Sequence, residues 1–225
     1  MEEFTYAHAD TSSGRRTGTD KLNKISLPAE IVKIRNHSFE REIPTADDET
    51  LSFLITLLTA LKPKSILELG TAVGVSGAVM LDCLRDAKLV TVEKNENFYR
   101  EAQENFDNLN LSDRAECVLS DAGEYLKNCE RRFDFIFLDS AKVQYVKYVP
   151  DLKRVLNAGG VLVADDILLY GWLTGENPVP EKRKMLFKHI EEYVNAVTRD
   201  EELYTTVLNV GGGIALSTKK RTAGL

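Results

Sequence analysis

The spacing of hydrophobic positions changes several times along this chain, and each change predicts a different element. Residues 1–24 have no apolar period; they are rich in Thr, Ser, Gly, Asp, Arg and Lys and read as a mobile arm or a substrate-side lid. Pro28 then opens a short helix over about 29–37, since proline suits a first helical turn. After Thr45, residues Leu51, Leu54, Ile55, Leu58 and Leu61 recur at helical spacing, and Pro63 stops that helix. Beyond it, apolar runs at 65–69, 89–93, 115–119, 133–139 and 160–164 alternate with helical patterns near 75–85, 95–108, 121–127 and 145–156. Continuous apolar strands separated by helices predict a parallel sheet covered on both faces. A charged amphipathic helix near 181–197 precedes two more runs, 204–210 and 214–218, joined by Gly211-Gly212-Gly213, the signal of an antiparallel hairpin. The expected fold is α/β, with seven mostly parallel strands and an antiparallel pair at one edge. We divide the chain into an arm (1–27), one domain (28–220, with helices over 28–62 and the α/β core over 63–220) and a tail (221–225).

Bulk properties narrow the function without naming it. A formal net charge of −6 argues against a surface built for non-specific nucleic-acid binding. Cys83, Cys117 and Cys129 are odd in number and lack CxxC spacing, which suits buried thiols in a reducing compartment. The N-terminus lacks the basic and apolar regions of a signal peptide, and no apolar run approaches a membrane span. The expected location is the cytoplasm, with no membrane partner.

The stretch Ser65-Ile-Leu-Glu-Leu-Gly-Thr-Ala-Val-Gly-Val-Ser-Gly77 runs an apolar strand into a turn punctuated by Gly70, Gly74 and Gly77. Glycines let the backbone turn sharply and approach a ligand closely, and the turn aims a helix N-terminus at that ligand. Glu68, inside the strand end, would repel a pyrophosphate but not a cationic, phosphate-free adenosine compound. Glu93 ends the second strand, where a carboxylate can accept from both ribose hydroxyls. Asp121 follows the third, where an acid can accept from an adenine amino group while Ala122 offers its backbone N–H. Each acid alone is better explained as a solvated strand end; it is the three in order on successive strands that point to a ligand. A nicotinamide dehydrogenase also uses a glycine turn and a second-strand acid, but its Gly-x-Gly-x-x-Gly spacing is absent here.

Asp139 ends the fourth strand, Lys142 follows three residues later, and the fifth strand ends in Asp165-Asp166. Carboxylates at neighbouring strand ends repel unless something neutralises them. Oxygen-only ligands suit a hard divalent cation, Mg²⁺ or alternatively Mn²⁺ or Ca²⁺. Asp165 and Asp166 could equally cap a loop and never meet Asp139.

The order Glu68–glycine turn, Glu93, Asp121-Ala122 resembles the class I S-adenosylmethionine-dependent methyltransferases, whose fold is Rossmann-like. Asp139-x-x-Lys142 with the later acid pair resembles their metal-dependent O-methyltransferases. That group includes catechol and caffeoyl-coenzyme-A O-methyltransferases and bacterial transfer-RNA 5-hydroxyuridine methyltransferases. The likeness covers roughly 27–219, from Ile43-Pro44 to the closing Gly213-Ile-Ala-Leu-Ser-x-Lys219 strand. It implies that Asp139, Asp165 and Asp166 hold the metal and Lys142 is the base. It further implies that Thr45, Ala46, Glu68, Gly70, Thr71, Gly74, Ser76, Glu93, Asp121, Ala122 and Asp139 line the cofactor, and that the chain forms a homodimer. Two positions depart from the family pattern: Asp166 stands where Asn is usual, and Gly212 where the hairpin usually carries Asp.

The expected activity is methyl transfer to a hydroxyl of a small catechol-like aromatic. A transfer-RNA wobble uridine is the alternative acceptor, and a non-catalytic cofactor-binding regulator a third reading. Arg15, Arg16, Lys21, Lys24, Tyr170 and Trp172 are candidates to face the substrate, and Glu181-Lys-Arg-Lys184 to touch a transfer RNA. Tyr170 and Trp172 could equally pack beneath their loop or at a dimer interface. Tyr145 and Tyr148 are read as helix packing, and His8, His37 and His189 receive no role.

Overall fold

A computed structural model of the chain describes residues 25–221. Arg15, Arg16, Lys21, Lys24 and most of the expected arm therefore lie outside the described residues, as does the tail beyond Arg221. Seven strands, β1 (Ser65–Leu69), β2 (Lys88–Glu93), β3 (Ala115–Leu119), β4 (Phe133–Leu138), β5 (Leu156–Ala164), β6 (Leu203–Leu208) and β7 (Ile214–Lys219), form one sheet in the order β3-β2-β1-β4-β5-β7-β6. The first five run parallel, and β7 pairs antiparallel with both β5 and β6. The expected sheet and its closing hairpin are therefore present.

Strand side chains alternate between two apolar layers, as a period of two requires. Ile66, Leu89, Phe135, Phe137, Val161 and Val163 face α2 (Asp48–Leu61), α3 (Val75–Asp82) and α4 (Glu96–Asn108), while α1 (Ala29–Glu40) adds Ile31. Leu67, Val90, Ile136, Leu138 and Leu162 face α5 (Ala122–Asn128), α6 (Tyr145–Val155) and α7 (Lys184–Thr198).

Helix ends follow side-chain chemistry that apolar spacing does not report. α3 stops at Asp82 rather than near 85, because Arg114 reaches across and donates to the Leu81 and Leu84 carbonyls (3.2 and 2.7 Å). α7 starts at Lys184, after a 3-10 turn over Glu181–Arg183. β5 begins at Leu156, four residues before the expected 160. Its pairing with β4 jumps from Phe133↔Leu156 to Phe135↔Val161, a bulge in which Gly159 has φ +79° and Asn157 donates to Asp134 (2.9 Å).

Glu68 is fully buried, on the α3 face of β1, in register with Thr91 of β2. A buried carboxylate is costly unless its oxygens are bonded. Here Ser76 Oγ donates to Oε1 (2.5 Å) and Thr91 Oγ1 to Oε2 (2.6 Å), and the Thr71 hydroxyl lies 2.5 Å from that of Thr91. Gly77 leaves room for this group, since a Cβ there would lie 3.0 Å from Glu68 Oε2 and 2.8 Å from Leu89 Cδ2. Burial still outweighs the hydroxyls and raises the Glu68 pKa from 4.5 to about 7. The folded chain therefore binds this proton more tightly than the unfolded chain, so stability falls as pH rises from about 4.5 through about 7. In urea unfolding between pH 5 and 8, Glu68→Gln should flatten this decline by up to about 3 kcal/mol. Identical slopes for wild type and variant would mean that other groups carry the pH dependence.

Candidate active site

The strand order reverses between β1 and β4, and ligands of such sheets bind beyond the strand carboxyl ends at that point. The glycine turn stands there. Gly70 has φ +106°, and a Cβ on it would run into the Asp139 carbonyl, so the two strand ends come together only because residue 70 is glycine. Gly74, at φ +87°, caps α3 and lies against the Phe106 ring. Ala72 also takes a left-handed conformation (φ +45°), and its N–H donates to Glu93 Oε2 (2.9 Å). Glu93 Oε1 accepts from the Asn95 N–H (2.8 Å), so this carboxylate ties the turn to the end of β2.

The remaining cofactor candidates divide by exposure. Glu68 and Thr71 are buried behind the turn and Ser76 nearly so, which leaves Glu68 holding the turn's shape from beneath. Asp121 is exposed at the N-terminus of α5, with Oδ1 accepting from the Gly123 and Glu124 N–H groups (2.9 and 3.3 Å). It is thus a helix cap, with Ala122 buried behind it. Thr45 and Ala46 immediately precede the Asp47 cap of α2, and the Thr45 hydroxyl is buried with no partner among the described residues.

Asp139, Lys142, Asp165 and Asp166 do meet. Lys142 Nζ lies 3.5 Å from Asp139 Oδ1 and 3.3 Å from Asp166 Oδ2. Asp165 Oδ1 accepts from the Asp166 N–H (2.8 Å) and from Thr50 Oγ1 (3.3 Å). Burial, with repulsion from Asp139 and Asp166, holds the Asp165 pKa well above the carboxylate range. Burial also raises Asp139, which Lys142 only partly offsets. Burial opposes the charge on Lys142, yet the Tyr145 oxygen and the carboxylates of Asp166, Asp139 and Asp165 more than reverse that and hold its pKa well above the usual lysine value.

Asp139 and Asp166 thus share one ammonium with Asp165 close behind, an excess of negative charge that suits a hard divalent cation. Among the described residues, however, no three acid, His or Cys side chains converge on one point as metal ligands. Lys142 stands between Asp139 and Asp166 instead.

Neighbouring segments press closely on this cluster. Asp47 Oδ1 caps α2 through Thr50 N–H (2.7 Å), and the Gly211 N–H donates to Glu49 Oε2 (3.0 Å). In the β6–β7 turn, a Cβ on Gly211 would lie 2.5 Å from Thr50 Oγ1, and one on Gly212 would overlap Asp166 Oδ1. The two departures from the family pattern are therefore in contact: Asp166, in a left-handed conformation (φ +58°), fills the notch that Gly212 leaves open. Thr50 and Thr91 escaped the reading of apolar periods, although Thr91 is a visible signal as the one polar residue in Leu89-Val-Thr-Val92. After the acid pair, Leu169, Tyr170 and Gly171 all have positive φ. Trp172 packs against the core, and Tyr170, 54% exposed, lies tilted against the Trp172 ring at 5.5 Å.

The sequence profile of the O-methyltransferase family matches residues 22–220. A caffeoyl-CoA O-methyltransferase of Populus kitakamiensis is 26% identical over 182 residues, 77% of this chain and 76% of the relative. The tapetum-specific methyltransferase 1 of Arabidopsis thaliana is 24% identical, over 79% of this chain and 77% of its own length. The fold matches an SAH-bound Podospora anserina methyltransferase at a TM-score of 0.81 and 22% identity, covering 96% of this chain and 99% of that one. It also matches the O-methyltransferase from Bacillus cereus in complex with SAH at 0.78 and 22%, covering 91% and 98%. The regulator reading falls away with these matches, and the chain belongs to the S-adenosylmethionine-dependent O-methyltransferase family.

Proposed function

We propose that the chain methylates a hydroxyl of a small catechol-like aromatic, using S-adenosylmethionine and a divalent cation, with Mg²⁺ favoured over Mn²⁺ or Ca²⁺. The observation that carries this reading is the meeting of Asp139, Lys142, Asp165 and Asp166 at adjacent strand ends, beside the glycine turn. Asp139, Asp165 and Asp166 would hold the cation. Such an ion, when bound, supplies Lewis acidity, the means by which a phenol of pKa about 10 becomes an oxyanion at neutral pH. S-adenosylmethionine supplies an electrophilic methyl group on a sulfonium.

This chain's own residues do the rest. Gly70 lets the backbone approach the cofactor closely, Glu93 orients the ribose, and Asp121 with Ala122 addresses the adenine. Glu68 sets the turn and, when ionised, adds negative charge beneath a cationic ligand. Lys142 takes the acceptor's proton at Nζ. Its carboxylate neighbours keep it protonated while they are uncompensated, so it becomes a base only when further positive charge enters the site. Tyr170, exposed four residues after the acid pair and tilted against Trp172 at 5.5 Å, would offer its outer face for an aromatic acceptor to stack on. The caffeoyl-CoA specificity in the poplar relative's name favours a phenolic acceptor over a transfer RNA.

Lys142→Ala should reduce methyl transfer by roughly a hundredfold or more. Its affinity for S-adenosylmethionine by calorimetry should stay within about threefold of wild type. Unchanged turnover at saturating Mg²⁺ would remove Lys142 from the base role. EDTA should abolish transfer and added Mg²⁺ restore it; full activity in EDTA would overturn the metal assignment. Tritium transfer from methyl-labelled S-adenosylmethionine should label a catechol panel, and labelling of undermethylated transfer RNA alone would reverse the choice of acceptor.

A further inference from the structure

Asp139 is the residue at which β4 leaves the sheet. Its own N–H is still bonded to the Leu69 carbonyl of β1 (3.0 Å), but the chain beyond it has no strand to lie against. The groups on either side of Asp139 converge on one atom. Tyr145 Oη donates to the Leu138 carbonyl (3.1 Å) and accepts from the Ser140 N–H (3.1 Å). Tyr145 is fully buried at the first turn of α6, three residues after Lys142, and Lys142 Nζ lies 6.0 Å from its ring centroid. The ring is supported in turn by Tyr193 of α7, edge to face at 5.3 Å. Apolar packing would be served as well by phenylalanine. The contrast lies within this pair: the Tyr193 hydroxyl is buried with no partner among the described residues, whereas that of Tyr145 has two.

We infer that Tyr145 is a positioning residue of the methyl-transfer centre, its hydroxyl bracketing Asp139 and its ring flanking Lys142 so that both groups hold their places. The inference rests on the proposed roles of Asp139 and Lys142. A buried hydroxyl with both a donor and an acceptor partner fixes those partners relative to each other, and here they are the peptide groups before and after Asp139. Small displacements of a catalytic group are costly in rate even when binding persists, so the loss should fall on kcat rather than on cofactor affinity.

The test compares two buried Tyr→Phe changes, with catechol, S-adenosylmethionine and Mg²⁺ as probes. Tyr145→Phe should lower kcat roughly tenfold or more, with KM for S-adenosylmethionine within about threefold of wild type. Tyr193→Phe should leave kcat within about twofold of wild type. In an Asp139→Asn background the Tyr145→Phe loss should shrink, because the group being positioned is already impaired. A kcat for Tyr145→Phe equal to wild type would overturn the inference. So would an equal loss in Tyr193→Phe, or a Tyr145→Phe loss undiminished by Asp139→Asn. Lys142→Ala is measured alongside: full turnover there defeats the base assignment, while the two tyrosine variants still decide the bracketing of Asp139. Hydrogen exchange needs no acceptor. The peptide over 138–142 should exchange faster in Tyr145→Phe and not in Tyr193→Phe, and unchanged exchange in the former sinks the proposal even if catechol is not methylated.

Discussion

The structure depends on a carboxylate placed where carboxylates are most costly. Glu68 sits inside the apolar layer between β1, β2 and α3, and three elements contribute to keeping it there. Ser76 comes from the first turn of α3 and Thr91 from β2, and Thr71 reaches Thr91 from the turn itself. Because these donors flank the turn on both sides, satisfying the carboxylate also fixes the turn. A neutral apolar residue at 68 would remove the cost and the constraint together.

From that fixed turn the rest of the site follows by topology. Gly70 brings the end of β1 against the Asp139 carbonyl, which places β4's terminal acid at the point where strand order reverses. β5 lies next to β4, so its Asp165-Asp166 pair arrives beside Asp139 without any further device. α2 then covers the cluster from the side through Thr50. Four chain segments separated by up to 115 residues meet through these contacts.

Much of this was legible in the chain because strand boundaries carry strong signals. Ser65–Leu69 and Ala115–Leu119 are bounded by Pro63, Gly70 and the polar flanks of β3, and their limits agree with the structure. The meeting of Asp139 with Lys142 was likewise visible, being a spacing of three residues at a strand end. Long-range partners were not. Arg114 ending α3, Asn157 anchoring the β5 bulge and Thr50 on Asp165 all act across more than 20 residues, which no local period reports. Asp121 shows a different gap: as a strand-end acid it suits a ligand, and as the residue before a helix it suits a cap, and its Oδ1 makes the capping bonds that apolar spacing does not report. Tyr145 was legible as buried, but its hydroxyl partners depend on how the chain folds back after β4.

The notch between Asp166 and Gly212 has a consequence for how this site can change. The two positions, 46 residues apart in the chain, draw on a single small volume, and with Asp166 placed as it is a side chain at 212 has no room. A carboxylate can be carried on the strand side or on the hairpin side, but gaining one at 212 requires the residue 166 side chain to turn elsewhere. Substitutions at these positions should therefore travel in pairs through related sequences. An engineer seeking to move negative charge around Lys142 must treat the two residues together.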